Sequence, residues 1–297
     1  MLQEGIDEYI TSLSMNEQGR GETNQNTIVA YRNDLNQACA YLKRGHVENW
    51  QQVTRADIAN YLLEMRDAQS YRPTTIARKL ASLKTFFRYL RSVGSITVDP
   101  IEELSAPRIQ KDLPQVLNQE QVASLFRQVA VDAPAGMRDM AMLHMLYATG
   151  MRVSELVALN LEHVDIAHAT VVCAGRNGKN KRERVLPLSP LALEQTKRYL
   201  QSARQRLILH HPDEQALFVN HHGERLTRQG FWLIIKGYAR QANITGITPH
   251  MLRHSFAILM LQNGMELRSV QELLGHAHIA TTQVYSQLAR ESVKSTV

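Results

Sequence analysis

The sequence predicts a mainly α protein in two domains, with one small β-hairpin or sheet set into the second. Three observations predict it. A chain of 297 residues exceeds the size of one ordinary core, and 44% hydrophobic content is enough to build two. Apolar residues recur at spacings of three and four along most of the chain, the period of a helix with one buried face. Residues 165–187 break that rhythm with two β-branched runs around a turn-rich, basic stretch.

From Gly5 to about Ser95 four apolar-periodic segments follow one another, so this half is read as an all-α bundle. Between Thr27 and Leu42, residues Ile28, Tyr31, Leu35, Ala38 and Leu42 share one helix face. Thr54, with Asp57 three positions on, reads as an N-cap and a first-turn acid before Ile58, Leu62 and Met65. The next helix is expected to start after Pro73, with Thr74 or Thr75 as cap and Ile76, Leu80, Leu83, Phe87 and Leu90 as its apolar stripe. Arg78, Lys79, Ser82 and Lys84 are read as lying off that stripe, open to a phosphate backbone, because lysine and arginine neutralise phosphates and displace condensed counterions. An ordinary solvated helix face accounts for them equally well.

Prolines at 100, 107 and 114, and no sustained apolar period between them, mark a linker. We place it at 106–114, between a first domain of 1–105 and a second of 115–297. Asn118 opens a new capped helix, and Met137 to Ala148 is apolar enough to be a buried one. Ala169 to Cys173 and Arg184 to Leu188 flank Gly175-Arg-Asn-Gly-Lys-Asn-Lys181, which reads as a β-hairpin with a basic tip. The remainder is helical, without internal repeats.

The net charge is +6, and all of the excess lies late in the chain: residues 1–110 carry 13 Lys/Arg against 13 Asp/Glu, residues 111–297 carry 21 against 15. That balance favours a polyanionic partner. Arg72, Arg78, Lys79, Lys84, Arg88 and Arg91 also fall between Tyr71 and Gly94 with no acid among them. No apolar run approaches the roughly 20 residues that span a bilayer, and the start lacks the basic and apolar regions of a signal peptide, so a cytoplasmic protein with no membrane partner is expected. Cys39 and Cys173, one in each expected domain, are read as reduced core residues.

The chemistry is concentrated in the second half. Arg152 stands in Thr149-Gly-Met-Arg-Val-Ser-Glu-Leu156, Arg253 in His250-Met-Leu-Arg-His254, His276 closes Leu273-Leu-Gly-His, and Tyr285 follows nine residues later. A phosphodiester repels nucleophiles and has a poor leaving group, so a metal-free catalyst must supply fixed cations and a proton donor. Two guanidiniums can clamp both non-bridging oxygens. On a helix His250 and Arg253, three apart, share a face. Each residue also has a plainer reading: Arg152 in an ion pair with Glu155, His276 as a surface histidine, Tyr285 as a packed aromatic. Zinc on His250 and His254 is a rival, weakened because no glutamate stands where zinc proteases need one and because Arg253 between them would repel a dication. His254 is assigned structural support.

Taken in this order the motifs resemble those of the tyrosine recombinase (phage integrase) family, and within it the Xer-like site-specific recombinases. The resemblance implies an N-terminal SAM-like helical bundle that binds the DNA core site, with Thr75 to Leu90 as a DNA-facing helix, and a C-terminal catalytic domain. It implies that Tyr285 attacks the phosphate to form a 3′-phosphotyrosyl link, that Arg152, Arg253 and His276 stabilise the transition state, that His250 assists proton transfer, and that Glu155 supports Arg152. A hairpin lysine would be the general acid. Gly178-Lys179-Asn-Lys-Arg-Glu-Arg-Val-Leu-Pro-Leu resembles the family's Gly-Lys-Gly-x-Lys-x-Arg-x-x-Pro-Leu with Lys179 in that place. The second glycine is absent, so Lys181 stays open as the alternative; otherwise Lys181 and Arg182 are expected to touch DNA.

The expected partner is double-stranded DNA with a specific core site, bound by a homotetramer on two sites or a heterotetramer with a paralogous recombinase, with a DNA translocase left open. No cofactor or metal is implied, since the phosphotyrosyl link conserves the bond energy. The expected role is Xer-type resolution of chromosome or plasmid dimers. An integrase or resolvase of a mobile element, a type IB topoisomerase, and a non-catalytic architectural DNA-binding protein are the alternatives. A simple core site is expected, without an additional N-terminal module of the kind many phage integrases use for arm sites; twelve residues follow Tyr285.

Overall fold

The computed structural model describes residues 1–15, 25–105, 116–173 and 183–275. These form two compact units, the first built from residues before 106 and the second from residues after 115. No helix among them is long and apolar enough to cross a membrane.

The first unit contains α1 (Leu2–Met15), α2 (Gln25–Arg44), a 3-10 turn (Trp50–Gln52), α3 (Arg55–Asp67) and α4 (Pro73–Ser92). The expected stripe of α4 is buried, and so are Phe86, Lys79 and Ser82, because α1, α2 and α3 all pack against this one helix. Trp50 closes the core: its indole N–H donates to the Leu2 carbonyl at 2.8 Å and its ring meets Phe86 edge-on at 4.8 Å. Gly5 makes room for it, since a Cβ there would stand 3.1 Å from the indole. Thr54 caps α3 with Asp57 returning the bond, as expected. α4 begins otherwise than expected: Pro73 is already in the first turn and Arg72 is the N-cap, and no side chain caps it, because a guanidinium has no acceptor to offer the orphan N–H groups.

Two residues expected on an open face are inside. Lys79 is 6% exposed, its Nζ donating to Asp34 at 2.9 Å and Gln37 at 2.6 Å, and Ser82 is 0% exposed, its hydroxyl turned back to the Lys79 carbonyl. For Lys79 the reason is Asp34, a carboxylate only 3% exposed that needs cations beside it, which Lys79 and Arg78 both supply; Ser82 is enclosed because three helices pack around α4. Arg78 keeps about half of its side chain exposed, and Lys84 is partly buried near the Glu102 carbonyl.

The second unit runs α5 (Gln119–Arg127), α6 (Pro134–Thr149), α7 (Val153–Ala158), a 3-10 turn (Leu161–His163), β1 (Val164–Asp165), β2 (Thr170–Cys173), β3 (Arg184–Pro187) and α8 (Pro190–Arg198). A π-helical stretch (Tyr199–Arg204), α9 (Gln205–Leu207), α10 (Arg228–Gln241), α11 (Pro249–Gln262) and α12 (Leu267–Leu274) follow. The expected hairpin is present as β2 and β3, widened by β1 to a three-stranded antiparallel sheet in the order β1-β2-β3. Its basic tip lies outside the described residues, as does the expected linker. Asn118 caps α5, and α6 is the buried helix, with Ala141, Met142, Leu143, Met145 and Leu146 all 0% exposed. Cys39 and Cys173 are free, buried thiols, one in each unit.

Candidate active site

The site is assembled where four chain breaks in regular structure meet: the end of α6, the start of α7, the first turns of α11 and the end of α12. α6 stops at Gly150, whose φ of +61° lies in the left-handed region. A Cβ there would also collide with the Phe256 ring of α11, so glycine lets the two helices close up. The Gly150 carbonyl then accepts from Arg253 Nη1 at 2.7 Å.

Two residues on, Arg152 is the N-cap of α7, and Glu155 reaches back from the third helical position to accept the Arg152 backbone N–H at 2.7 Å. The same carboxylate accepts from Arg152 Nη1 at 2.9 Å and pairs with Arg184 Nη2 at 2.8 Å; Arg253 Nη1 lies 4.0 Å away. One carboxylate, 14% exposed, therefore organises three guanidiniums. The α7 N-terminus adds its own partial positive charge, which further favours an anion there.

The end of α12 completes the arrangement. Gly275, with φ of +63°, terminates the helix, and the last carbonyls each accept from a different arginine: Leu273 from Arg184 at 2.9 Å, Leu274 from Arg253, and Gly275 from Arg152 at 3.2 Å. Carbonyls at a helix C-terminus lack intrahelical partners and carry partial negative charge, so guanidiniums are suited to them. Three arginines and one carboxylate leave the locality net positive. Arg152 is the more accessible clamp arginine at 24% side-chain exposure, against 4% for Arg253.

α11 starts with Thr248 as cap and Pro249 in the first turn, a start that a Thr-Pro pair favours. His250 is exposed on that turn, and partial burial, then the charges of Arg253, Arg152 and Arg228, hold its imidazole below the usual histidine range. It is neutral at neutral pH and able to accept a proton. His254 is deeper; burial, then His250 and Arg253, push it down to about 4. The rings lie 6.3 Å apart, and among the described residues no group of three His, Cys, Asp or Glu is placed to hold a metal.

A pH dependence follows. Because the folded-state value of His254 lies below the 6.5 of a free imidazole, its contribution to stability is intact above pH 6.5 and declines as pH falls toward about 4. Urea midpoints measured at pH 7 and pH 5 are expected to differ more for the parent than for His254→Gln. Equal differences would contradict a buried neutral imidazole.

Of the residues expected from sequence, Arg152, Glu155, His250 and Arg253 are thus brought together from two helix starts about a hundred positions apart. Lys179, Lys181, Arg182, His276 and Tyr285 lie outside the described residues. Arg184 and Arg228 were missed. Arg184 carried a signal: in β3 it is two residues from buried Leu186, so strand parity turns it inward, opposite Cys173 in the register. Cys173 is accordingly a neutral thiol, pushed up to about 11 by burial and Glu155 against the pull of Arg184.

Fold and site together define a class, that of integrase-type catalytic domains preceded by a small helical bundle. The phage integrase family matches residues 115–292, and the phage integrase N-terminal SAM-like domain matches residues 6–94. The chain belongs to the phage integrase family and is a site-specific tyrosine recombinase. It is 45% identical to tyrosine recombinase XerC of Roseiflexus sp. (strain RS-1) over 90% of this chain and 85% of that one. It is 39% identical to tyrosine recombinase XerD of Oceanobacillus iheyensis over 99% and 97%. Among solved structures, XerH bound to a palindromic difH substrate superposes with a TM-score of 0.73 at 20% identity, covering 99% of this chain and 93% of that one. A lambda integrase dimer bound to a COC′ core site gives 0.74 at 16%, covering 96% and 94%.

Proposed function

We propose that this recombinase performs Xer-type resolution of chromosome or plasmid dimers, acting in the cytoplasm on double-stranded DNA at a specific core site, as a tetramer of itself or with a paralogous partner. The observation that carries the reading is Glu155 gathering Arg152 and Arg253 at the end of α12, next to a neutral His250. Relatives called XerC and XerD match over nearly the whole chain, which favours this role over a mobile-element one. Residues 1–105 would grip the core site and 115–297 carry out the chemistry, with 106–114 between them.

In the chemistry proposed, the Tyr285 phenol oxygen bonds to phosphorus as the bond to the 5′-oxygen breaks. The phenolic proton passes to His250, and Lys179 protonates the departing 5′-oxygen. Arg152 and Arg253 meet the growing charge on the non-bridging oxygens, with His276, the residue after Gly275 in sequence, donating a further hydrogen bond. An incoming phosphate would offset the arginine charges that hold His250 down, so substrate binding itself would raise its proton affinity. The 5′-hydroxyl released then attacks the partner duplex and frees the tyrosine. Arg78 and Lys84 on the first unit, and Lys181 and Arg182 from the hairpin of the second, are proposed to contact DNA; Lys79 and Ser82 are not.

Nicked suicide duplexes carrying candidate core sites test this, read as a covalent protein–DNA adduct on denaturing gels; relaxation of any supercoiled plasmid without a specific site would instead indicate a topoisomerase. For the general acid, Lys179→Ala is expected to slow cleavage by about 10² to 10⁴ and to be rescued by a 5′-bridging phosphorothiolate, whose sulfur departs without a proton. Rescue of Lys181→Ala alone would move the role to Lys181.

A further inference from the structure

The arginines proposed to touch phosphate are held by groups that are themselves held, and one side chain stands behind them all. We infer that Arg184 is a positioning residue for the arginine clamp, fixing Glu155 and the end of α12 to the sheet; this rests on the proposed recombinase reading. Arg184 opens β3 on the buried face, paired in register with Cys173. A guanidinium on the core side of a strand is costly unless its charge is paired and its N–H groups are satisfied. Its two prongs find partners in different directions, Nη2 through an ion pair without a hydrogen bond and Nη1 through a hydrogen bond. Nη2 pairs with Glu155 Oε1 at 2.8 Å, the oxygen that also accepts from Arg152 Nη1, and Nη1 donates to the Leu273 carbonyl at 2.9 Å.

The consequence is a closed ring of constraints. Arg184 ties β3 to α7 through Glu155 and to α12 through Leu273, while Arg152 and Arg253 tie α7 and α11 to the same helix end through Gly275 and Leu274. Gly275 belongs to the ring too, because a Cβ there would collide with the Arg184 guanidinium. With its side chain 15% exposed, Arg184 is buried about as deeply as Glu155 and is less accessible than Arg152. It acts through Glu155 and the helix end. Without it, Glu155 keeps Arg152 as its close partner but loses its anchor to the sheet, and α12 loses one of three ties.

A clamp misplaced by a fraction of an ångström weakens transition-state stabilisation more than it weakens DNA binding, which draws on many phosphate contacts. The test uses the full chain and nicked suicide duplexes in two forms, one with an ordinary scissile phosphate and one with a charge-neutral methylphosphonate, which makes less demand on fixed cations. Arg184→Ala is expected to bind DNA like the parent, to cleave the ordinary phosphate about 10²-fold more slowly, and to lose much less on the methylphosphonate. Arg184→Met, which keeps the buried volume without the charge, is expected to reproduce that selectivity if the alanine variant does not fold. Cleavage of the ordinary phosphate at the parental rate by either folded variant overturns the inference, and so does an equal loss on both substrates. A loss rescued by a 5′-bridging phosphorothiolate but not by methylphosphonate overturns it too, because Arg184 would then serve the proton donor. If the parent forms no adduct, it is the proposed function that fails.

Discussion

Tyr285→Phe is expected to bind the core site as the parent does and to form no covalent adduct. Phenylalanine keeps the ring and its volume and deletes one atom, the oxygen that would become esterified to DNA. A replacement nucleophile would have to approach in line with the departing 5′-oxygen and within van der Waals reach of phosphorus. Water could enter the vacated space, but it would release a free 3′-phosphate and leave nothing attached to the protein. The measurement is a suicide duplex labelled on the strand that would be captured, resolved on a denaturing gel beside a mobility-shift assay at matched concentrations. A shifted protein band from the phenylalanine variant would reassign the nucleophile to another of the chain's ten tyrosines.

Arg253→Ala is expected to damage both chemistry and stability. Arg253 is 3% exposed, donates to the Gly150 and Leu274 carbonyls, and lies 4.0 Å from Glu155. Its removal leaves two helix-end carbonyls without those donors and a less compensated carboxylate, a loss of about 3–5 kcal/mol for a buried charged network. It also deletes one of the two cations proposed to meet the transition state, worth about 10²–10³ in rate. Arg253→Lys separates the effects. It retains the charge but reaches only one acceptor at a time, so it is expected to recover part of the stability and little of the rate. Denaturant midpoints and single-turnover adduct formation give the two numbers; a lysine variant that cleaves within about tenfold of the parent would falsify the two-pronged role.

The site was legible in the sequence to differing depths. Arg152, His250 and Arg253 could be named because each sits in a short motif whose local structure is fixed by its neighbours: a glycine that ends α6, a Thr-Pro start that opens α11. Glu155 was legible as a partner of Arg152, three residues away on one helix. Its second role, joining Arg184 and nearing Arg253, was not, because those contacts connect α7 to β3 and α11 across separations that no period reports. Lys79 and Ser82 mark the opposite failure. The five-residue stripe was read correctly, yet α4 is enclosed by three helices, so its buried arc is wider than an amphipathic pattern suggests and takes in a lysine once Asp34 waits inside.

By itself the sequence determined the elements and their ends: caps at Thr54, Asn118 and Thr248, a left-handed glycine closing α6 and another closing α12, and a hairpin between Ala169 and Leu188. These are local matters, settled by backbone preference and by which side chain can reach an orphan N–H or carbonyl a few residues away. Only the tertiary structure decided which orphan carbonyls meet which guanidiniums. Buried charge must find its counterpart wherever packing brings one, and that pairing, at the end of α12, joins Arg152, Arg184 and Arg253 into one device.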